Sequence, residues 1–460
     1  MKSTWLLAVV VGCLAGTPGA FAAEAAKPAV DAVSGPLKKY IANDDASYQW
    51  SEWRTGQLGG SRYVELRMVS QTWRGTPWKH QLFILKPSTA TSETKHGLLF
   101  IGGGRWRPEL EDPQYQQRLP NEAYLLAAVA EQLKSPVAIV LQVPHQPILG
   151  GRFEDDAIAH TFEQYLRTGE SDWPLLLPMV KSAVRAMDAT QEYARQNWSM
   201  QLETFTVTGA SKRGWTTWLT GATDPRATAI APMVIDMLNM REQMKHQVAT
   251  WGDYSDEIDD YTRRGLQKFL ASEKGQALTQ IVDPYVYRDA LTQPKLLIFG
   301  TNDRYWPLDA ANVYWEDLKG EKHLLYIPNN GHGLKDYARI VGTLGALHEQ
   351  AVGGKSLPKL TWKFENGEEA LRLTVASDKR PSQVLVWTAS SPSRDFREAQ
   401  WSSRPAESNG DGYIASLPIP DESYRAIFAE AVYENGEAPA IHLSTNVRIV
   451  PPKRVVQAAQ

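Results

Sequence analysis

Two rhythms of apolar and polar positions divide this chain. Residues 62–73 and 78–87 alternate apolar with polar positions around the turn Arg74-Gly75-Thr76-Pro77, which predicts a β-hairpin. Residues 97–101, 137–143, 204–208, 228–235, 296–299 and 324–327 are short, nearly unbroken apolar or β-branched runs, as strands buried on both faces should be. Between them, residues 122–133, 175–195 and 334–352 carry apolar side chains at helical spacing. Strands alternating with helices predict an α/β architecture: a mostly parallel sheet, helices on both faces, and the hairpin as its antiparallel edge. From about 239 to 289 the pattern breaks into polar helical stretches carrying Trp251, Tyr254, Tyr261 and Phe269. This predicts a cap inserted over the carboxyl edge of the sheet, where such folds bind ligands.

After Pro358 the period changes to two. Short alternating runs at 360–364, 371–375, 384–388, 426–433 and 442–449 are punctuated by Asn366-Gly367, Asn409-Gly410 and Asn435-Gly436. A small all-β sandwich of the immunoglobulin or fibronectin type is expected over 355–460, joined at Gly353-Gly354. The other end opens with Met1-Lys2, an apolar run over 5–14 and Ala20-Phe21-Ala22. That is the layout of a secretory signal peptide over 1–22, cleaved near Ala22, and it predicts an exported protein, periplasmic or secreted. Val10-Val11-Gly12-Cys13 loosely resembles a lipoprotein box, but the apolar segment before it is very short. No other segment has the length of a transmembrane helix. The single cysteine, Cys13, lies in the leader, so the mature chain at 23–460 must be held by core burial alone. A net charge of −3 gives no electrostatic footprint for nucleic acid, so the expected partner is a small molecule or peptide.

The chemistry concentrates at three strand ends. The run 204–208 leads into Gly209-Ala210-Ser211, then Lys212-Arg213-Gly214 and a helical stretch. A strand, a sharp small-residue turn carrying one serine, and a helix make a nucleophile elbow, with Ser211 as candidate nucleophile. The plain alternative is a serine capping the helix. Asp303, in the turn Gly300-Thr301-Asn302-Asp303, is the candidate acid. His332, flanked by Gly331 and Gly333 after the run 324–327, is the candidate base. The order Ser, Asp, His from three separate strand ends is that of α/β-hydrolases. Asp236, at the end of the run 228–235, is a rival acid. The oxyanion hole is expected at the backbone N–H of Lys212 and of Gly103 or Gly104, in the loop Gly102-Gly103-Gly104-Arg105-Trp106. Trp106, His145, Trp215 and Trp306 are expected to line the substrate pocket. No metal set stands out and no cofactor is expected: the acidic cluster Glu154-Asp155-Asp156 lacks histidines at ligand spacing. That cluster is expected to solvate a surface or the cap; holding a cationic part of a substrate is the alternative.

The stretches Asp172-Trp173-Pro174, Pro178-Met179-Val180-Lys181, Ala186-Met187-Asp188, Gly209 to Trp215, Ala231 to Asp236 and Tyr254 to Gly265 resemble the PhoPQ-activated pathogenicity-related protein family, over most of the chain from about residue 35. The resemblance implies an α/β-hydrolase fold, an exported protein, and a link to envelope stress or resistance to host peptides. The Ser211, Asp303 and His332 arrangement reads as that of a serine hydrolase, esterase or peptidase, and the resemblance leaves the substrate open. A non-catalytic binding or signalling protein on the same scaffold is the alternative. One departure matters. The usual elbow is Gly-x-Ser-x-Gly, but here Arg213 stands second after the serine and the glycine waits until Gly214. Glucuronoyl-esterase-like enzymes show a similar Gly-x-Ser-x-x-Gly. Arg213 is expected to pair within the fold rather than to meet a substrate carboxylate.

Overall fold

The computed structural model describes residues 34–453 except 113, 116, 117, 120 and 411; the expected leader, with Cys13, lies outside them. Strands β1 (Gln49–Leu58), β2 (Ser61–Trp73) and β3 (Thr76–Lys86) form an antiparallel meander. The next six strands are β4 (His96–Ile101), β5 (Val137–Val140), β6 (Thr204–Ala210), β7 (Ala227–Met233), β8 (Lys295–Gly300) and β9 (Lys322–Ile327). The sheet order is β1-β2-β3-β5-β4-β6-β7-β8-β9, antiparallel up to the β3–β5 pairing and parallel from β5 onward. Leaving aside β1, this is the α/β-hydrolase strand order. The connection out of β4 leads to β5 on one side of it, and the next leads from β5 to β6 on its other side. The carboxyl ends of β4 and β6 therefore face each other at the switch point, where open sheets bind ligands.

The helices are α1 (Pro36–Ala42), α2 (Asn121–Leu133), α3 (Glu154–Thr168), α4 (Leu176–Trp198), α5 (Lys212–Thr223), α6 (Met240–Trp251), α7 (Asp259–Thr262), α8 (Leu266–Phe269), α9 (Glu273–Val282) and α10 (Tyr337–Ala351). The continuous apolar runs are explained by what covers them. Leu99, Ile101 and Val207 face a core built with α4 and α5, while Leu98, Ile139 and Leu325 face one built with α2 and α10. Successive strand residues point to opposite faces, so both must be apolar when both faces are covered. Helices α6 to α9 form the insertion over the carboxyl edge. Asp283 closes its two ends by accepting N–H bonds from Asn239 (3.2 Å) and Met240 (2.8 Å) at its start and from Tyr285 (2.9 Å) after it.

The C-terminal region is all β: β10 (Leu360–Asn366), β11 (Ala370–Ser377), β12 (Gln383–Ser391), β13 (Ser402–Pro405), β14 (Glu407–Asn409), β15 (Gly412–Pro418), β16 (Tyr424–Asn435), β17 (Ala438–Ser444) and β18 (Arg448–Val450). One sheet has the order β10-β11-β15-β14. The other, β17-β16-β12-β13 with β18 also on β16, joins the main sheet through an antiparallel bridge between Ser444 and Leu324 of β9. Its interior, including Leu373, Val386 and Ile427, is one hydrophobic core with the α2/α10 face. The Arg339 guanidinium of α10 bonds the buried Glu430 carboxylate of β16 at 2.8 Å, and Thr343 exchanges hydrogen bonds with the His442 backbone. The alternation at 442–449 belongs to two strands, β17 and β18, separated by Thr445, Asn446 and Val447. Among the described residues no helix is long and apolar enough to cross a membrane.

Candidate active site

Strand β6 ends at Ala210, and Ser211 turns the chain with φ 58° and ψ −125° before α5 starts at Lys212. This left-handed backbone is strained for a serine and aims its side chain away from the sheet. The displaced glycine has a physical reason. A Cβ on Gly214 would stand 2.8 Å from the Met233 carbonyl and 3.0 Å from that of Gly209, so the first turn of α5 crosses the strand ends at position 214. That leaves position 213 free for a large side chain. Arg213 uses it to run inward: its guanidinium forms a bidentate pair with Glu154 at 2.7 Å and donates to the Val143 carbonyl at 2.5 Å. A Cβ on Gly103 would stand 2.4 Å from that guanidinium, so only glycine fits over it. Arg213 thus ties the elbow to the loops after β4 and β5.

The acidic cluster is not a solvated surface. It forms the first turn of α3, where negative charge meets the helix dipole favourably, and each carboxylate is paired. Burial alone would raise the Glu154 carboxyl, but the Arg213 and Lys212 cations outweigh it and hold it at about 2. Asp155 accepts from Lys212 Nζ at 2.7 Å and from the Tyr261 hydroxyl of α7 at 2.8 Å. Asp156 pairs with Arg152 at 2.8 Å and with Arg264. The cluster joins elbow to cap, and no carboxylate in it is left for a substrate cation.

His332 lies in the loop after β9. Its Nδ1–H donates to Asp303 Oδ2 at 2.9 Å, with Oδ1 at 3.2 Å. Asp303, just past β8, is fixed in turn by accepting the Tyr305 N–H at 2.9 Å. With Nδ1 protonated, the lone pair sits on Nε2, which is buried and has no hydrogen-bond partner among the described residues. The Tyr305 ring covers the imidazole, centroids 4.2 Å apart. His332 and Ser211 line the same cavity. Asp236 is elsewhere: fully buried, it accepts from the Tyr314 hydroxyl at 2.6 Å. Burial, helped by the charges of Asp303 and Asp309, pushes its carboxyl up to about 8.

Lys212 N–H is the first of α5 and has no carbonyl partner within the helix, as an oxyanion donor requires. Gly103 and Gly104 follow β4, next to β6, with Gly104 at φ 113°. Of the expected pocket residues, Trp215 and Trp306 line the Ser211 cavity. Trp106 and His145 do not. The Trp106 ring stands beside His145, centroids 6.0 Å apart, and lines a separate groove with Trp50 and Trp53. His145 is buried against the Lys79 backbone.

Two further side chains serve the site and carry no local signal. Asn302 Nδ2 donates to the Ala399 carbonyl at 2.7 Å and the Arg397 carbonyl at 3.2 Å. Asn329 exchanges two bonds with the Trp401 backbone, at 2.8 and 3.0 Å. The β12–β13 connection thereby grips the loops of Asp303 and His332, one residue from Asp303 and three from His332.

Residues 37–397 match the sequence family described as PhoPQ-activated pathogenicity-related protein. Autocrine proliferation repressor protein A of Dictyostelium discoideum is 32% identical over 439 residues, covering 87% of this chain and 86% of that protein. Among solved structures, acetyl xylan esterase 1 from Thermoanaerobacterium sp. JW/SL YS485 superposes with a TM-score of 0.46 at 14% identity, over 69% of this chain and 92% of that one. An acetyl xylan esterase from Paenibacillus sp. R4 gives 0.45 at 12%, over 69% and 90%.

Proposed function

We propose that this chain, which belongs to the PhoPQ-activated pathogenicity-related protein family, is an exported serine hydrolase that cleaves an ester or peptide by acyl transfer. The observation that carries the reading is the unpartnered Nε2 of His332. It faces the cavity that Ser211 lines, while Nδ1 is held by Asp303. In this reading Ser211 Oγ attacks the carbonyl carbon as its proton passes to Nε2. Asp303 holds the tautomer and stabilises the imidazolium. The N–H of Lys212 and of Gly103 or Gly104 hold the developing oxyanion. His332 returns the proton to the leaving group, and water then releases the acyl group by the same path in reverse order.

A fluorophosphonate probe tests this. Wild type is expected to be labelled and Ser211→Ala, equally folded, is not. A folded wild type that takes no label and hydrolyses neither p-nitrophenyl esters nor aminoacyl-nitroanilides would sink the reading in favour of a binding protein on this scaffold. Export is tested by N-terminal sequencing of the secreted chain, expected to start near Ala23.

A further inference from the structure

We infer that the Ser211 cavity takes an uncharged, apolar acyl group, a short hydrocarbon chain or a single ring, and that the substrate is an ester of such an acid. The ester bond rests on the serine-hydrolase reading; the apolar ligand does not. Two cap helices supply the wall in pairs four residues apart: Met240 and Met244 of α6, Leu278 and Val282 of α9; Leu266 of α8 and Leu270 just after it add to the wall. Residues at i and i+4 share one helix face, so each of the two pairs turns an apolar stripe toward the cavity. Phe162 and Trp215 meet them from α3 and α5, ring centroids 6.0 Å apart. The polar lining comprises Ser211, His332, Tyr305 and the Tyr261–Asp155–Lys212 chain, with the uncharged Thr262, Gln267 and Thr279 among the cap residues.

Charge decides the ligand class. The Asp, Glu, Lys and Arg side chains along this wall are, among the described residues, Asp155 and Lys212, and they pair with each other at 2.7 Å. A substrate ammonium or carboxylate entering here loses its water and gains no counter-charge, which is strongly unfavourable. That argues against amino-terminal recognition by an exopeptidase. The cavity measures about 90 Å³, below the ~150 Å³ that holds a benzene ring elsewhere. Methionines are unbranched and repack readily, so the wall containing Met237, Met240 and Met244 can widen for a few more carbons. With that widening, acyl groups of roughly four to six carbons fit this size.

The test uses p-nitrophenyl esters from acetate to dodecanoate, with the adipic acid monoester as a charged counterpart of the hexanoate. Expected is a rise in kcat/KM of roughly fourfold per methylene up to the optimum, and a loss of about a hundredfold or more for the adipate. Met244→Trp moves the optimum to shorter chains and Met244→Ala to longer ones. Acetate as best substrate, or equal turnover of the adipate, overturns the assignment. Binding of benzene to Ser211→Ala, followed by tryptophan fluorescence, reads the site without catalysis. Saturable binding, with a wild type that turns over no ester, supports the apolar site and removes the hydrolase reading. Ester turnover by wild type with no benzene binding and no chain-length preference does the reverse.

Discussion

At the scale of single residues, two carboxylates within one region of the sheet do opposite things because of their surroundings. Asp303 is partly exposed, accepts from His332 and takes a backbone N–H. Asp236 is sealed from water beside a tyrosine hydroxyl. Asp303→Asn should therefore lower kcat by about 10³ to 10⁴, through loss of the correct His332 tautomer. Asp236→Asn should leave kcat within about threefold, because an amide keeps the Tyr314 bond. Its effect is on stability. A carboxyl raised to about 8 keeps a proton in the native state that the unfolded chain releases near pH 4. The contribution of Asp236 to stability is then lost as pH rises from 4 to 8, and Asp236→Asn should gain in Tm over wild type at pH 8 with the advantage vanishing toward pH 4. Thermal unfolding of both proteins at pH 4, 6 and 8 checks the sign.

At the scale of elements, the turn at Ser211 is held in place by ion pairs and the loops of Asp303 and His332 by backbone clamps. Arg213→Ala leaves the half-buried Glu154 with only Lys212, at 3.4 Å, as its cation and frees the Val143 carbonyl, a loss of about 1–3 kcal/mol, measurable in the denaturation midpoint. Asn302→Ala and Asn329→Ala free the loops of Asp303 and His332 while leaving the apolar wall intact. Each should lower kcat by roughly tenfold or more with KM little changed, the mark of misplaced reacting groups. Equal losses in KM, with kcat preserved, would contradict the clamp. These elements also set the limit of what the sequence carries. Ser211, Asp303 and His332 stand at strand ends with distinctive local surroundings, and the strands announce themselves by unbroken apolar runs. Strand β1 does not, because its side chains are at most half-buried and show no alternation. Helix α3 hides for another reason. Its acidic first turn reads as solvated surface, yet its partners Lys212 and Arg213 lie 57 and 59 residues away. The Asn302 clamp spans 94 to 97 residues. Trp106 and His145 share the site's edge of the sheet, and local sequence does not tell that Trp106 turns into a different groove and that His145 packs against the Lys79 backbone.

At the scale of the molecule, the all-β region continues the main sheet and packs on α10, so it acts as a wall of the hydrolase core rather than a tethered module. Buried titratable groups distribute acid sensitivity over both regions. Burial drives the imidazoles of His80 to about 3 and His96 to about 4, and lowers His348, whose ring stands 4.8 Å from that of His96. Each stays neutral in the native state while the unfolded chain takes up a proton below about 6.5. Stability should fall as pH drops from 6.5 to 4. Glu430, which burial alone would raise but which His442 and Arg339 hold at about 2, adds a further loss below 4.5. His348→Leu, which removes two buried and unpartnered nitrogens, should flatten the slope between pH 6.5 and 4 while changing little at pH 8. A pH series of urea midpoints reads it.

The most direct measurement is peptide mapping of the acyl-enzyme after rapid quenching of wild type with p-nitrophenyl hexanoate. The acyl mass is predicted on Ser211 alone, accumulating in a burst and absent from Ser211→Ala. An acyl group on any other residue, or undiminished ester turnover by Ser211→Ala, would contradict the account.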